Sequence, residues 1–452
     1  MKLTHQRKHT LRAMALAVTM GLAPWAQAAE VLGELTPKYT LDAAGPRPDW
    51  ILAPRTAESR AAWEQARVRL AAGQIDEAAT GFAAAAKLEP DAIAPLLGLA
   101  DVAVRRGKPQ DALKLVEQAQ KLAPEATEVR IAAGRLAYAL GKKSDAENHF
   151  KRAAAGNPKI SAPLLDLGEF YMAERRHNDA IKVFTTAAGL PAPHPGASFG
   201  LGRALVAIGN TRAALGAFEQ AAKLAPGNPL PMVAMAELQL RSGDSKQALA
   251  LVDKALLLDP KLTSARLAHA DALAAQGARD QARSEYQTML ESAQGTQAAV
   301  IHAKLAALRQ AANDTDGAVA ALKQAIKVDP NFHPAYNDLA WLAAQRKRDL
   351  DNGLKWAKTA IELAPKSASY LDTLGYVLLA RGEKDAAVSA LRRAVALSPD
   401  TPDYHYRLGL ALQAQAQTQA ALTSYQAAIK TGKPFLELDD ANRRIAQLTG
   451  KP

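Results

Sequence analysis

A proline recurs along this chain at a fixed interval. Pro90, Pro124 and Pro158 are spaced by 34 residues, as are Pro226 and Pro260 and then Pro365 and Pro399; Pro330 belongs to the same set. A period of this length means that one supersecondary unit is copied, each copy burying its apolar face against the next. The chain is therefore expected to fold as an array, where its 452 residues would otherwise suggest roughly three ordinary domains. Other residue types keep the same beat. Glycine stands at 73, 107, 141, 209, 243, 277 and 382, and five residues after each comes alanine: Ala78, Ala112, Ala146, Ala214, Ala248, Ala282 and Ala387. A bulky residue follows (Phe82, Val116, Phe150, Phe184, Phe218, Val252, Tyr286), then another small one, as at Ala85, Ala119, Ala153 and Ala187. The glycine suits the end of a first helix, where a left-handed residue is needed. The alanines let two antiparallel helices approach, the bulky residue fills the space between pairs, and the proline stops the second helix. Aromatic content of only 5% favours such small-residue helix contacts over a β-sandwich.

These residues resemble the tetratricopeptide repeat, a helix–turn–helix unit of 34 residues. Eleven copies start near Ser59, Ile93, Thr127, Ser161, Pro195, Pro229, Thr263, Ala299, His333, Ala368 and Pro402, giving an array over 59–433. The resemblance implies an all-α, right-handed superhelical solenoid. Three departures mark irregular places. LPAPHPG at 190–196 lacks the usual helix end and suggests a bend; two extra residues follow the seventh copy near 294–297; the ninth has one extra residue in its inner turn, QRKRDLDNG at 345–353. Residues 434–452 contain an amphipathic segment (434–449) expected to cap the last repeat, which would otherwise leave an apolar face in water.

In tetratricopeptide folds the fifth and ninth places of each unit face a concave groove. Here the fifth places read Trp63, Leu97, Ile131, Leu165, Phe199, Val233 and Leu267, and the ninth read Arg67, Asp101, Arg135, Glu169, Arg203, Glu237 and Asp271. An apolar stripe thus runs beside charges that largely alternate in sign. Two readings stand: neighbouring repeats pair their charges and pack their apolar residues, or a protein segment lays its apolar side on the stripe and its charges on the ladder. The last three repeats place Asn337, Trp341, Asp372, Tyr376 and Tyr406 in the groove, with His405 adjacent. Amides and aromatics with polar tips suit recognition, and the same aromatics also suit packing between helices. The candidate binding residues are Asn337, Trp341, Asp372, Tyr376, Tyr406, Trp63, Phe199, Arg67, Arg135 and Arg203. The stretch 336–399 also resembles the C-terminal part of bacterial envelope repeat proteins that accompany exopolysaccharide export or outer-membrane assembly.

Residues 1–28 have the layout of a cleavable export signal: basic residues Lys2, Arg7, Lys8 and Arg12, an apolar stretch at 13–24, and Ala26-Gln27-Ala28 before Ala29. A membrane anchor is the rival, but about 12 apolar residues fall short of the ~20 needed to span. Removing the four basic residues takes the formal charge from +11 to +7, too diffuse to argue for nucleic acid. Residues 29–58 hold Pro37, Pro46, Pro48 and Pro54 without a helical period and read as an extended leader, either a plain linker or a tether docking through Tyr39 or Trp50. The expected location is the periplasm, with no membrane span.

Signatures of chemistry are absent from the sequence. Cysteine does not occur, which excludes thiolate nucleophiles, thiolate metal sites and an N-terminal lipidated cysteine. There is no H-E-x-x-H and no G-x-S-x-G, and the histidines at 149, 177, 194, 269, 302, 333 and 405 form no i, i+3 or i, i+4 pair. Gly200-Leu201-Gly202 lacks the third glycine of a dinucleotide turn and falls inside a first helix. No catalysis, cofactor or metal is expected. The expected function is a periplasmic scaffold or adaptor that binds protein segments in its groove. The alternative is a carbohydrate- or anion-binding module carrying a polymer, using basic clusters such as Arg105-Arg106, Arg175-Arg176, Arg346-Lys347-Arg348 and Arg443-Arg444.

Overall fold

The computed structural model describes residues 53–450. The signal-like segment, most of the proline-rich leader with Tyr39 and Trp50, and the last two residues lie outside the described residues. Those described fold into helices and connecting turns, without strands. In chain order the helices are α1 (Ala57–Ala71), α2 (Ile75–Leu88), α3 (Ile93–Arg105), α4 (Pro109–Leu122), α5 (Thr127–Ala139), α6 (Lys143–Gly156), α7 (Ser161–Ala173), α8 (His177–Ala188), α9 (Pro195–Ala207), α10 (Thr211–Leu224), α11 (Leu230–Ser242) and α12 (Ser245–Leu258). They continue as α13 (Thr263–Ala275), α14 (Arg279–Leu290), α15 (Gly295–Ala311), α16 (Thr315–Val328), α17 (His333–Arg346), α18 (Leu350–Leu363), α19 (Ala368–Ala380), α20 (Lys384–Leu397), α21 (Pro402–Ala414), α22 (Thr418–Lys430) and α23 (Leu438–Thr449). This is a solenoid of eleven helix pairs closed by a single last helix.

Two compact units divide the described residues: 53–239 with Ala250–Ala265, and Leu240–Leu249 with 266–450. Within each, odd-numbered helices form one layer. α1 touches α3, α3 touches α5, α5 touches α7 and α7 touches α9 in the first unit; α17 touches α19 and α19 touches α21 in the second. The second helix of a pair packs on its own first helix and on the next one, as α8 does on α9 and α20 on α21.

The inner turns have one geometry, set by a left-handed residue. All seven periodic glycines, Gly73 through Gly382, have positive φ. At Gly107 the backbone closes with Gly107 N–H on the Val104 carbonyl at 2.9 Å and Lys108 N–H on Ala103 at 2.8 Å, satisfying carbonyls that the helix end leaves open. Where glycine is missing the turn persists: Arg175, Asn313 and Ala416 take φ of 57°, 64° and 60°. The longer turn of the ninth pair uses two such residues, Lys347 and Asp349. Left-handed backbone crowds a Cβ, so Ala416→Gly is expected to stabilise the chain by about 1 kcal/mol, read as a raised melting midpoint. No change or a lower midpoint would contradict this.

Glycines inside first helices serve the opposite end of the packing. Gly202 faces its own pair's Phe218, where a Cβ would lie 2.5 Å from the ring, and Gly200 faces Phe184 of the preceding pair at 2.6 Å. The Gly200-Leu201-Gly202 triplet therefore seats two aromatic rings. The two residues inserted near 294–297 enter α15, which is 17 residues long where α13 has 13. The 190–196 connection keeps the register, because α7 and α9 begin 34 residues apart at Ser161 and Pro195. At the far end α23 packs on α22. Ala441 is buried there, and Ile445, Leu448 and Phe435 cover the last core cluster.

Candidate functional site

In the first unit much of the inner layer is engaged internally. The fifth-place residues Trp63, Leu97, Ile131, Leu165 and Val233 are buried in the packing, and Phe199 is half-buried with its ring 5.4 Å from that of Phe218. The Arg67 guanidinium lies 4.8 Å over the Trp63 ring. Asp101, wholly buried, has Arg105 Nε at 3.5 Å. Arg135 donates through Nε at 2.8 Å and through Nη2 to Asp166, and Arg203 Nη1 donates to both Glu169 oxygens at 2.9 and 3.1 Å. Arg203–Glu169 runs between ninth places, while Arg135 reaches Asp166, one turn before Glu169. Glu237 is half-buried. In the second unit Leu267 is half-buried, and Asp271 accepts from Tyr286 Oη and from Lys304 Nζ, the latter at 2.8 Å.

The last three pairs hold two kinds of residue. Asp372, Tyr376 and Tyr406 are tied into the scaffold. Arg407 Nε donates to Asp372 at 2.7 and 2.9 Å with both side chains buried, and the guanidinium lies 5.9 Å from the Tyr376 ring. Burial works against the Arg407 charge, but the Asp372 carboxylate beside it holds its pKa above the ordinary value. Tyr406 Oη donates to Asp440 of α23 at 2.6 Å, and its ring meets Phe435 at 6.2 Å, so this tyrosine secures the cap. His405 Nε2 lies 2.7 Å from the Pro399 carbonyl.

The face of α17 is different. Asn337 and Trp341 are one helical turn apart, and Asp338 lies beside them, three residues before Trp341. Asn337 is buried; its Nδ2 donates to Asp338 Oδ1 at a long 3.4 Å, while its own Oδ1 receives no hydrogen bond. Asp338 and Trp341 are half-buried. From α19, Tyr370 places its hydroxyl 2.6 Å from His333 Nδ1, with the two rings 5.5 Å apart at 61°. Burial, and next the Asp338 charge, push the Tyr370 phenol up. Burial likewise pushes the Asp338 carboxyl up to about 7, the Asn337 amide only partly opposing it. Among the described residues no cation pairs with Asp338. Asp338, Tyr370 and His333 escaped the sequence reading because they lie at sixth, third and first places; an acid next to Asn337 was the available signal.

A carboxyl whose pKa is raised by folding binds its proton better in the native state. Its stabilising effect is complete at low pH and is lost as pH rises through about 7. Asp338→Asn is therefore expected to gain on the order of 1–3 kcal/mol over the native chain between pH 5 and pH 8. Parallel stability curves for the two proteins over that range would contradict it.

Paired helices in register, an inner layer of first helices and a capped end define a helical-repeat scaffold. The tetratricopeptide repeat matches residues 63–127, 97–161, 131–198, 165–229, 304–368 and, through a second version of the motif, 205–262; a TPR repeat matches 375–416. The chain belongs to the tetratricopeptide-repeat family. No curated protein matches it. Among solved structures it is similar to yeast Tom70, at 16% identity over 87% of this chain and 95% of that one, with a TM-score of 0.49. It is also similar to the APC/C hetero-tetramer Cut9-Hcn1, at 14% over 89% and 99% with a TM-score of 0.46, and to MamA, at 24% over 37% and 92% with a TM-score of 0.33. Solenoids of this family are typically non-catalytic scaffolds for protein–protein interaction, and among the described residues no helix is long and apolar enough to cross a membrane.

Proposed function

We propose that the chain is a non-catalytic, exported scaffold or adaptor that holds protein segments on its first-helix face, working in the periplasm in envelope assembly or exopolysaccharide secretion. The observation that carries the binding role is the α17 face: Asn337, Asp338 and Trp341 offer a buried acceptor, an unpaired carboxyl and a half-buried indole where Asp372 and Tyr406 are already satisfied. The signal-like layout of residues 1–28 supports export, and the resemblance of 336–399 to envelope repeat proteins supports the setting.

The basic clusters favour a protein partner over a polymer. Arg106 pairs with Asp76, Arg346 with Asp316 at 2.7 Å, Arg381 with Asp351, and Arg176 with Glu147 at 2.7 Å. Arg106, Arg346 and Arg381 stand at the end of a first helix and Arg176 at the start of a second, and each meets an acid near the start of the preceding second helix, so these cations already serve repeat-to-repeat contacts.

A photo-reactive residue at position 341 of the full chain, expressed in cells, tests the proposal. Mass spectrometry should identify a discrete envelope protein in the cross-link, and the intact chain should have lost residues 1–28. Self-cross-links alone would overturn the binding role. A retained N-terminus with the chain in the cytoplasm would overturn the location. Capture of polysaccharide that weakens steeply with salt would favour the polymer reading.

A further inference from the structure

The scaffold reading leaves open which chemistry the inner face selects, and the residues of α17 and α19 answer it. Asp338 sits half-buried with only a 3.4 Å amide contact, while other inner-layer acids of the second unit, Asp271 and Asp372, each have a cation within 2.8 Å. Next to it the Asn337 carboxamide, more than nine-tenths buried, ends in an oxygen without a donor. Buried polar groups are nearly always satisfied, so a buried amide oxygen without a donor, beside a carboxyl held only by one long amide contact, marks a place for a donor from elsewhere. One turn along the helix Trp341 offers an indole face, the best aromatic surface for a cation.

We propose that Asp338, with Asn337 and Trp341, receives an arginine side chain from an extended segment of the partner protein. The assignment rests on the scaffold reading and specifies its partner. A guanidinium fits all three features. Its planar fork can address a carboxylate with two N–H groups while its face lies on an aromatic ring. Its several donors can also satisfy the Asn337 oxygen after a small turn of the amide. A negatively charged segment would add a second unpaired charge beside Asp338. Burial already holds that carboxyl near pH 7 without a counter-ion, so a cationic ligand relieves an existing penalty. Tyr370, held by His333 at 2.6 Å, borders the place from α19 and fixes it as a preformed site.

The test uses the full chain and capped, dye-labelled octapeptides of alanine and leucine with one central residue varied, followed by fluorescence anisotropy. The arginine peptide should bind, and the citrulline peptide, which keeps the shape and loses the charge, should bind at least about tenfold more weakly. The glutamate peptide should not bind. Asp338→Asn should erase the arginine–citrulline difference while its circular dichroism and melting show an intact solenoid. Equal affinity for arginine and citrulline peptides on the native chain, or no binding of the arginine peptide, overturns the assignment without reference to any variant. The photo-cross-link at 341 separates the two levels. A partner captured equally by the native and Asp338→Asn chains sinks the arginine site and leaves the scaffold standing; loss of all capture on the native chain sinks the scaffold reading itself.

Discussion

Phe184→Ala is expected to destabilise the first unit by about 3–5 kcal/mol, the range for deleting a fully buried aromatic side chain from a core that cannot collapse around the void. Phe184 has no exposed surface. It lies between two glycines from different repeats: a Cβ would come within 2.5 Å of the ring from Gly168 on α7 and within 2.6 Å from Gly200 on α9. Both backbones are moulded to the ring, so neither has side-chain atoms with which to fill the hole. Each repeat touches only its neighbours, so the loss should be local, loosening α7, α8 and α9 before the rest. Amide hydrogen exchange should rise first over 161–207, and the melting curve should split. A uniform small shift in melting would contradict this account of the packing. Gly168→Ala probes the same contact from the other side. Helix propensity favours alanine by about 1 kcal/mol, but overpacking against the ring should cost about 1–3 kcal/mol, for a net loss.

Arg407→Met is expected to cost the second unit about 3–5 kcal/mol, because it strands the buried Asp372 carboxylate. The pair is buried, with Arg407 Nε 2.7 and 2.9 Å from the two Asp372 oxygens, and it ties α19 to α21 near the capped end. Taking charges out of water is expensive, and the favourable part is their mutual contact, so removing one partner is far worse than removing both. The double variant Arg407→Met, Asp372→Leu should therefore recover most of the loss. Thermal or urea unfolding of the native chain, both single variants and the double variant gives the coupling directly. Additive effects of the two single changes would contradict a buried, mutually dependent pair.

The fold was legible because a repeat writes its rules many times. Glycine at the inner turn, alanine at the helix contact and a ring between pairs need only one copy to be understood and the others to be counted. The exceptions could also be placed. Arg175 stands 34 residues after Gly141, and Ala416 stands 34 after Gly382, so the period locates two left-handed residues that composition hides. The glycines that seat rings were less visible, since Gly200 and Gly202 touch aromatics from different pairs and only three-dimensional packing connects them.

The site was legible in outline alone. Position in the repeat names the residues on the first-helix layer but not their partners, which depend on side-chain reach. Arg135 turns to Asp166, Asp372 is taken by Arg407 and Tyr406 by Asp440. None of these pairings joins ninth place to ninth place. Asp338 was passed over for the same reason: whether an acid is paired is settled by what the neighbouring helix brings, and α19 brings a tyrosine.

Hydroxyl-radical footprinting of the full chain, alone and with its cross-linked partner identified and added back, tests the central claim most directly. If a protein segment lies on the first-helix face of the last repeats, labelling of Trp341 should fall several-fold on binding. Labelling of Leu257, 83% exposed on the second helix α12, should stay the same. Protection confined to second helices, with Trp341 unchanged, would contradict the account.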